Sequence, residues 1–194
     1  KGAANPKGYN PQADYESGHI PGAISIPLHL FDVSQENGIY PWTRPEDGNL
    51  LPPEKLKKVI ESYGIKHDDT VVVYCGNKSY IGGAYRIAWA LLYAGVKDVR
   101  YLNGDLAAWV ENGGILETKF NHPRPVADFG VPVPAHPEYL ATTKQVESMI
   151  NDKNAVIADD RSWTEFSAKD KTGCYYEFFC VPGHVPNAVW VHDM

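Results

Sequence analysis

Residues Val71 to Gly95 read VVVYCGNKSYIGGAYRIAWALLYAG, and this stretch decides the fold of the chain. Its β-branched start, Val71 to Val73, predicts a buried strand. A polar loop follows Cys75 and ends in two adjacent glycines at positions 82 and 83. We expect a helix after them, because apolar residues recur at positions 87, 88, 91 and 92, and Gly95 suits a helix end. Cys75 is therefore expected at the end of a strand, on a loop that leads into a helix.

This position favours a reactive cysteine. Only the thiolate is a good nucleophile, and an unperturbed thiol has a pKa of about 8.5. The free N–H groups and the positive dipole end of a helix N-terminus stabilise an anion, and Lys78 adds a full positive charge. The alternative is that Cys75 only packs at a strand end, since free cysteine is among the most buried residue types.

Composition narrows the function classes. The chain has 194 residues and a net charge of −6, enough for one domain or one and a half. It has no basic run, which argues against nucleic acid or an anionic membrane as partner. No apolar stretch reaches the roughly 18 residues of a membrane span, and no signal peptide is visible. The seven histidines form no recognisable ligand pair, so we predict no metal site.

Strand and helix signals alternate through the first part of the chain. This order predicts an α/β domain with a largely parallel sheet flanked by helices, whose ligand sites lie at the carboxyl ends of strands. Cys75 falls at one of these ends. The predicted elements are a strand at 23–26, a long surface loop at 32–50, a helix from Pro53 to Gly64, the strand at 71–73, the helix before Gly95, a strand at 99–102 and a short helix at 106–110.

The rest of the chain predicts the start of a second domain. Five prolines in residues 119–139 indicate a stiff linker. A helix capped by Thr142 or Thr143, a strand at 155–158 and a helix at 162–166 should follow. The sequence GHVPNA at 183–188 then repeats the pattern of GHIPGA at 18–23. We therefore expect a fragment of a longer protein: a domain at 1–118 without its opening strand, a linker at 119–140 and a truncated second domain at 141–194.

Several motifs together resemble the rhodanese family of sulfurtransferases. They are GHIPGA at 18–23, VVVYCG at 71–76, and GVKDVRYLNG at 95–104 followed by the Ala-Ala-Trp at 107–109. Asp159 to Arg161 with GHVP at 183–186 resembles the start of a second such domain. More narrowly, residues 128–135 and 161–166 resemble the last two domains of three-domain, YnjE-type thiosulfate sulfurtransferases. Those proteins are exported, so the resemblance implies a periplasmic location, or otherwise a cytoplasmic one.

The resemblance implies a chemistry centred on Cys75. Its thiolate would take the outer sulfur of thiosulfate or a similar donor and pass it, as a persulfide, to cyanide or a thiol. The implied partners are a small-molecule sulfur donor, an acceptor and the missing portions of the same protein. The implied chemistry needs no metal or organic cofactor. The loop residues implied in substrate binding are Gly76, Asn77, Lys78, Ser79 and Tyr80.

Three departures from the family pattern keep other functions open. The family loop is usually Cys-x-x-Gly-x-Arg with the helix following at once, whereas residues 75–83 predict a loop about three residues longer. Tyr80 stands where arginine is common, and Asp105 replaces the second glycine of a Gly-Gly pair. In the YnjE-type pattern the active cysteine lies in the last domain. The alternative is therefore a non-catalytic module that supports an active domain elsewhere. Phosphatase or arsenate-reductase chemistry on this fold needs Cys-x5-Arg, and position 81 is isoleucine.

The remaining chemical side chains are predicted to be structural. We expect an ion pair for Arg86, and backbone hydrogen bonds in tight turns for His19 and His184. Asp159 and Arg161 should form an ion pair that braces a loop, and Trp109 and Trp163 should lie in the core. An exported protein would permit a disulfide between Cys174 and Cys180.

Overall fold

The computed structural model describes residues 11–27, 31–32, 49–76, 81–169 and 183–191. The described residues form two compact units, which divide between Tyr139 and Leu140. The first unit contains α1 (Pro11–Ser17), α2 (Pro53–Ser62), β1 (Thr70–Val73), α3 (Ile81–Ala94), β2 (Asp98–Tyr101), α4 (Asp105–Glu111) and a short 3-10 helix (Pro137–Tyr139). The second contains α5 (Thr143–Met149), β3 (Ala158–Asp159), α6 (Trp163–Phe166) and β4 (Val189–Trp190).

In the first unit, β1 and β2 pair in parallel, with Val71 opposite Val99 and Val73 opposite Tyr101. Helix α3 joins the two strands and contacts both of them. This strand–helix–strand unit confirms the predicted α/β architecture with parallel strands. The prediction of a buried strand at Val71 to Val73 holds for one face only, since Val72 is 54% exposed. Only the face that carries Val71 and Val73 packs against the core.

The core of the first unit lies between α2, α3 and the sheet. Leu56 and Ile60 lie one turn apart on α2 and are fully buried, as is Leu91 of α3. Burying side chains of this size stabilises the fold by about 1.5–3 kcal/mol each. The helix begins at Pro53, as predicted, and Gly64 follows its end with a φ of +76°.

The proline-rich segment before Tyr139 packs along the first unit instead of only joining two domains. The His67 N–H donates to the carbonyl oxygen of Phe129 at 2.8 Å, and the Ala135 N–H donates to that of Ala94 at 3.2 Å. Phe129 itself is fully buried within the core. The segment predicted as a linker therefore supplies a core side chain, and the domain limits 1–118, 119–140 and 141–194 stay predictions.

The strand predicted at residues 23–26 is not present. Among the described residues no strand pairs with this segment, and other groups satisfy its backbone. The Ala23 N–H donates to the Ile20 carbonyl oxygen at 2.9 Å within a turn. The Ala23 carbonyl oxygen accepts from the Tyr15 hydroxyl at 2.7 Å and from the Asn121 side chain at 3.1 Å. Side-chain donors here replace the sheet ladder that the β-branched pattern predicted.

The second unit is small and only partly covers its apolar side chains. β3 pairs with β4 in parallel over two residues, so the strand predicted at 155–158 is shorter and begins at Ala158. Thr142 caps α5 as predicted, with its hydroxyl and the Gln145 side chain in a reciprocal pair. Trp163 is 47% exposed, which corrects its assignment to the core. In the part of this unit that the structure describes, two short strands and two short helices offer too little surface to bury it.

Other predictions fall on parts of the chain outside the described residues. They include most of the surface loop predicted at 32–50, the aromatic-rich segment after 169, and the Cys174–Cys180 pair. Within the part of the chain that the structure describes, no helix is both long enough and apolar enough to span a membrane.

Candidate active site

Cys75 lies two residues after the end of β1 and is 8% exposed. The start of α4 holds its main chain on both sides. Its N–H donates to Oδ1 of Asp105 at 2.7 Å, and its carbonyl oxygen accepts from the Leu106 N–H at 3.3 Å. The structure therefore places the sulfur-bearing residue at the carboxyl end of a parallel strand, where α/β sheets bind ligands.

The loop after Cys75 is shorter than predicted. Helix α3 begins at Ile81, so Gly82 and Gly83 lie in its first turn instead of preceding it. Glycine disfavours a helix interior, but packing of this helix on the core outweighs that preference. Residues 75–80 are thus six in number, the length of the Cys-x-x-Gly-x-Arg pattern, and the predicted three-residue extension is wrong.

The loop residues predicted to bind substrate are only partly described. Gly76 is exposed, and among the described residues other than its chain neighbours no atom lies within 4 Å of the position that a Cβ would occupy there. Asn77, Lys78, Ser79 and Tyr80 lie outside the described residues, so their substrate-binding roles stay predictions.

Asp105 also belongs to the candidate site. The sequence motifs identified it only as a replacement for glycine and predicted no role for it. It is 5% exposed and has a φ of +58°, directly after Gly104 with a φ of +81°. Glycine is usual at such a position because it has no Cβ to clash, and Asp tolerates the left-handed region better than most residues. The Asp105 carboxylate accepts hydrogen bonds from the Cys75 N–H and from the Tyr101 hydroxyl.

One tyrosine, Tyr101, binds this carboxylate, and a second, Tyr85, packs against the ring of the first. Burial raises the pKa of Tyr101 far above its ordinary value, and the hydrogen bond to Asp105 and the negative charges of Asp105 and Cys75 add to the effect. Tyr101 therefore stays protonated and donates to Asp105. The ring of Tyr85, from α3, lies 4.4 Å from the Tyr101 ring between centroids and is half exposed.

Arg86 forms the ion pair predicted for it. Its guanidinium lies 3.2 Å from Oδ1 of Asp32, which is fully buried. Burial raises the pKa of Asp32 to about 6, and the Arg86 charge opposes that effect without cancelling it. The same guanidinium lies 5.5 Å from the ring centroid of Trp89. The prediction of a structural role is confirmed.

His19 is bound in a network within the first unit. Its ring is 2% exposed and stacks on Tyr15 with a centroid distance of 3.7 Å. Nδ1 donates to the Tyr15 carbonyl oxygen at 2.8 Å, and Nε2 lies 3.4 Å from a carboxylate oxygen of Glu117. The backbones of His19 and Glu117 also exchange two hydrogen bonds, at 3.0 and 2.9 Å. The predicted structural role in the Gly-His-x-Pro turn is confirmed.

In the second unit, the polar side chains of the motifs at 159–161 and 183–186 also bind other groups of the same unit. Arg161 pairs with Asp159 at 2.5 Å and donates to the Gly183 carbonyl oxygen at 2.7 Å, which confirms the pair that braces a loop. Nδ1 of His184 bonds the Phe166 carbonyl oxygen at 2.8 Å. An open pocket of about 520 Å³ is lined by these groups, and they already satisfy one another. In the described part of the chain, no three His, Cys, Asp or Glu side chains cluster as metal ligands would.

Comparison with known proteins decides the family. The model of the rhodanese-like domain matches residues 9–112, which include α1 to α4 and Cys75. The chain belongs to the rhodanese-like family. The fold resemblance inferred from the GHIPGA, VVVYCG and LNG motifs is therefore confirmed.

Similar proteins cover most of this rhodanese-like chain. It is 34% identical over 180 residues to thiosulfate sulfurtransferase YnjE of Escherichia coli K12, which covers 92% of the chain and 37% of YnjE. It is 29% identical over 178 residues to thiosulfate sulfurtransferase of Pseudomonas aeruginosa, covering 91% of the chain and 58% of that enzyme. The chain thus spans only part of the length of these relatives.

Solved structures give the same fold. A complex of EanB with ergothioneine superposes with a TM-score of 0.81 at 28% identity, over 95% of this chain and 43% of EanB. The anaerobic ergothioneine biosynthesis enzyme from Chlorobium limicola, bound to its natural substrate trimethyl histidine, gives a TM-score of 0.79 at 28% identity, over 95% and 43% of the two chains.

Proposed function

We propose that this chain takes part in rhodanese-type sulfur transfer, with Cys75 as the nucleophile that carries the sulfur. The observation that supports this most directly is the position of Cys75 at the carboxyl end of β1, six residues before α3. In such a unit the helix N-terminus lies at the same edge as the strand end, so its dipole and free N–H groups stabilise an anion there.

The proposed reaction proceeds in two displacements. The Cys75 thiolate attacks the outer sulfur of thiosulfate, forms an S–S bond and breaks the S–S bond of the donor. Sulfite leaves with the electron pair, and the persulfide keeps one negative charge. Cyanide or an acceptor thiolate then attacks the outer sulfur, and the Cys75 thiolate leaves. No oxidant or reductant is consumed. Gly76, Asn77, Lys78, Ser79 and Tyr80 are proposed to bind the donor anion and the persulfide.

A specific observation favours a second candidate, a non-catalytic module. The Asp105 carboxylate lies against the main chain of Cys75, and a nearby negative charge disfavours a thiolate. The chain also spans only 37% of YnjE, so the sulfur transfer of the whole protein can be carried by another domain. In this case the first unit would support that domain, and Cys75 would only pack.

The experiment that separates the candidates measures thiocyanate formed from thiosulfate and cyanide by the full-length protein. Cys75→Ser should lower kcat/KM at least about a hundredfold, because removing a nucleophile abolishes the covalent route. Cys174→Ser and Cys180→Ser are the matched controls and should keep the activity. Full activity in Cys75→Ser would establish the non-catalytic module.

The location of the protein is a separate proposal. Similarity to the YnjE type supports export to the periplasm. Fractionation of cells that express the full-length protein tests it, and recovery in the cytoplasmic fraction alone would refute it.

A further inference from the structure

The start of α4 forms a clamp on the main chain of Cys75. The clamp consists of the Asp105 carboxylate, which accepts the Cys75 N–H at 2.7 Å, and the Leu106 N–H, which donates to the Cys75 carbonyl oxygen at 3.3 Å. Tyr101 donates a third hydrogen bond, from its hydroxyl to the same carboxylate oxygen. One buried side chain therefore connects the end of β2, the start of α4 and the residue after β1 that carries the thiol.

Asp105 adopts a backbone conformation that suits glycine better than it suits other residues. Its φ of +58° lies in the left-handed region, which glycine adopts without the steric cost that a Cβ brings. Its side chain is also 5% exposed, and a buried carboxylate is stable only when hydrogen bonds compensate its lost hydration. The Cys75 N–H and the Tyr101 hydroxyl supply that compensation, as charge-assisted bonds.

We propose that Asp105 is a positioning residue for Cys75: its carboxylate fixes the main chain of Cys75 so that the thiolate meets the sulfur donor in line. This inference rests on the proposed sulfur transfer and assigns a residue to it. Displacement at sulfur needs the attacking atom, the outer sulfur and the leaving sulfite nearly collinear. A displacement of about 1 Å in such a geometry can lower a rate about a hundredfold.

Two substitutions separate positioning from general stability. Asp105→Gly removes the carboxylate and suits the left-handed backbone, so the fold should be retained. Asp105→Asn tolerates the same backbone and keeps the one oxygen acceptor that both the Cys75 N–H and the Tyr101 hydroxyl use. Asn is therefore expected to rescue what Gly loses.

The test compares two reactions of Cys75 at one pH. The first is persulfide formation with thiosulfate, followed by mass spectrometry, which needs alignment. The second is alkylation by iodoacetamide, which depends on the amount and exposure of thiolate. Among the described residues, the charged and titratable groups near Cys75 include Asp105 from α4 and Tyr101 from β2, and Tyr85 from α3 packs against Tyr101. Lys78 lies outside the described residues. Taking the ratio of the two rates cancels changes in thiolate content.

The ratio of persulfide formation to alkylation should fall at least tenfold in Asp105→Gly and stay within about threefold of wild type in Asp105→Asn. An unchanged ratio in Asp105→Gly overturns the positioning role while the sulfur transfer stands. Absence of persulfide in the wild type overturns the proposed function, and with it this role. If Asp105→Gly does not fold, Tyr101→Phe decides: it removes one of the two donors that hold the Asp105 carboxylate in place, and an unchanged ratio there overturns the proposal.

Discussion

At the scale of single residues, Asp32 is a carboxylate whose pKa is raised by burial more than it is lowered by the ion pair with Arg86. It is fully buried, and the Arg86 guanidinium lies 3.2 Å away. Its pKa is nonetheless raised from 3.8 to about 6, chiefly by desolvation. The folded protein therefore binds a proton at Asp32 more tightly than the unfolded chain does. As a result, the contribution of Asp32 to the free energy of unfolding decreases as the pH rises from about 4 to about 6.

The direction of this pH dependence of the free energy of unfolding can be tested with Asp32→Asn, because asparagine cannot ionise. Over the rise from pH 4 to pH 6.5, the free energy of unfolding of the variant should increase relative to wild type by about 1–3 kcal/mol. Urea titrations at several pH values give this difference. Asp98→Asn is the control, because the hydrogen bond from Arg100 lowers the pKa of Asp98 from its ordinary value of 3.8, so its difference from wild type should stay constant over this pH range. A difference for Asp32→Asn that does not change with pH would contradict the account.

At the scale of structural elements, the segment before Tyr139 is part of the first unit and contributes one fully buried aromatic side chain to its core. Phe129 is fully buried among the core residues and its N–H donates to a Glu61 carboxylate oxygen at 2.9 Å. Phe120 belongs to the same segment but is 38% exposed. We predict that Phe129→Ala lowers the free energy of unfolding by about 3–5 kcal/mol, because it leaves a cavity.

Phe120→Ala is the matched control for that prediction. The same atoms are removed from a partly exposed site, so the loss measured by urea denaturation should be below about 1.5 kcal/mol. Equal losses in the two variants would show that the segment is not packed as described.

Gly64 and Gly113 have nearly the same backbone conformation but different surroundings. Replacing each with alanine therefore separates the cost of backbone strain from the cost of close packing. Gly64 and Gly113 have φ values of +76° and +79°. A Cβ on Gly64 would lie 2.3 Å from the Arg124 carbonyl oxygen, whereas a Cβ on Gly113 would have no neighbour within 4 Å. Gly113→Ala should cost about 1–2 kcal/mol from the left-handed backbone alone.

Gly64→Ala should cost at least about 1 kcal/mol more than Gly113→Ala, since the contact with Arg124 must also be relieved. The thermal unfolding midpoints of the two variants give the comparison. A smaller loss for Gly64→Ala than for Gly113→Ala would exclude this close approach between the end of α2 and the proline-rich segment.

The sequence predicted those elements whose local signals agree with one another. Helix α2 has Pro53 at its start, apolar residues one turn apart and Gly64 after its end. For α3, the glycines at 82 and 83 suggested a later start, because propensity is local whereas packing on the core is not. The strand at 23–26 failed for a similar reason: β-branched residues indicate extended backbone but do not supply a partner strand.

The candidate site was also only partly predictable from the sequence. The position of Cys75 after a β-branched run and before a helix follows from the sequence pattern. The clamp by Asp105 does not, because it joins residues 30 positions apart through a side chain. The available signal was a polar residue at a position where the motif has glycine. Trp163 shows the opposite error, because its burial depends on how much structure the second unit provides.

At the scale of the whole molecule, the proposed chemistry belongs to the first unit. That unit contains the parallel strands, the clamp and Cys75, and it includes most of the region matched by the rhodanese-like domain. The relatives named thiosulfate sulfurtransferase are longer than this chain. The central claim is therefore that Cys75, in this unit, accepts a sulfur atom from a sulfane donor.

Mass spectrometry of the folded chain after incubation with thiosulfate tests that claim most directly. We predict one added sulfur atom on the peptide that contains Cys75, removed by cyanide and absent in Cys75→Ser. The peptides that contain Cys174 and Cys180 should remain unchanged. If Cys75 stays an unmodified thiol in the folded protein, the claim is contradicted, and the first unit serves as a scaffold for chemistry carried by another domain.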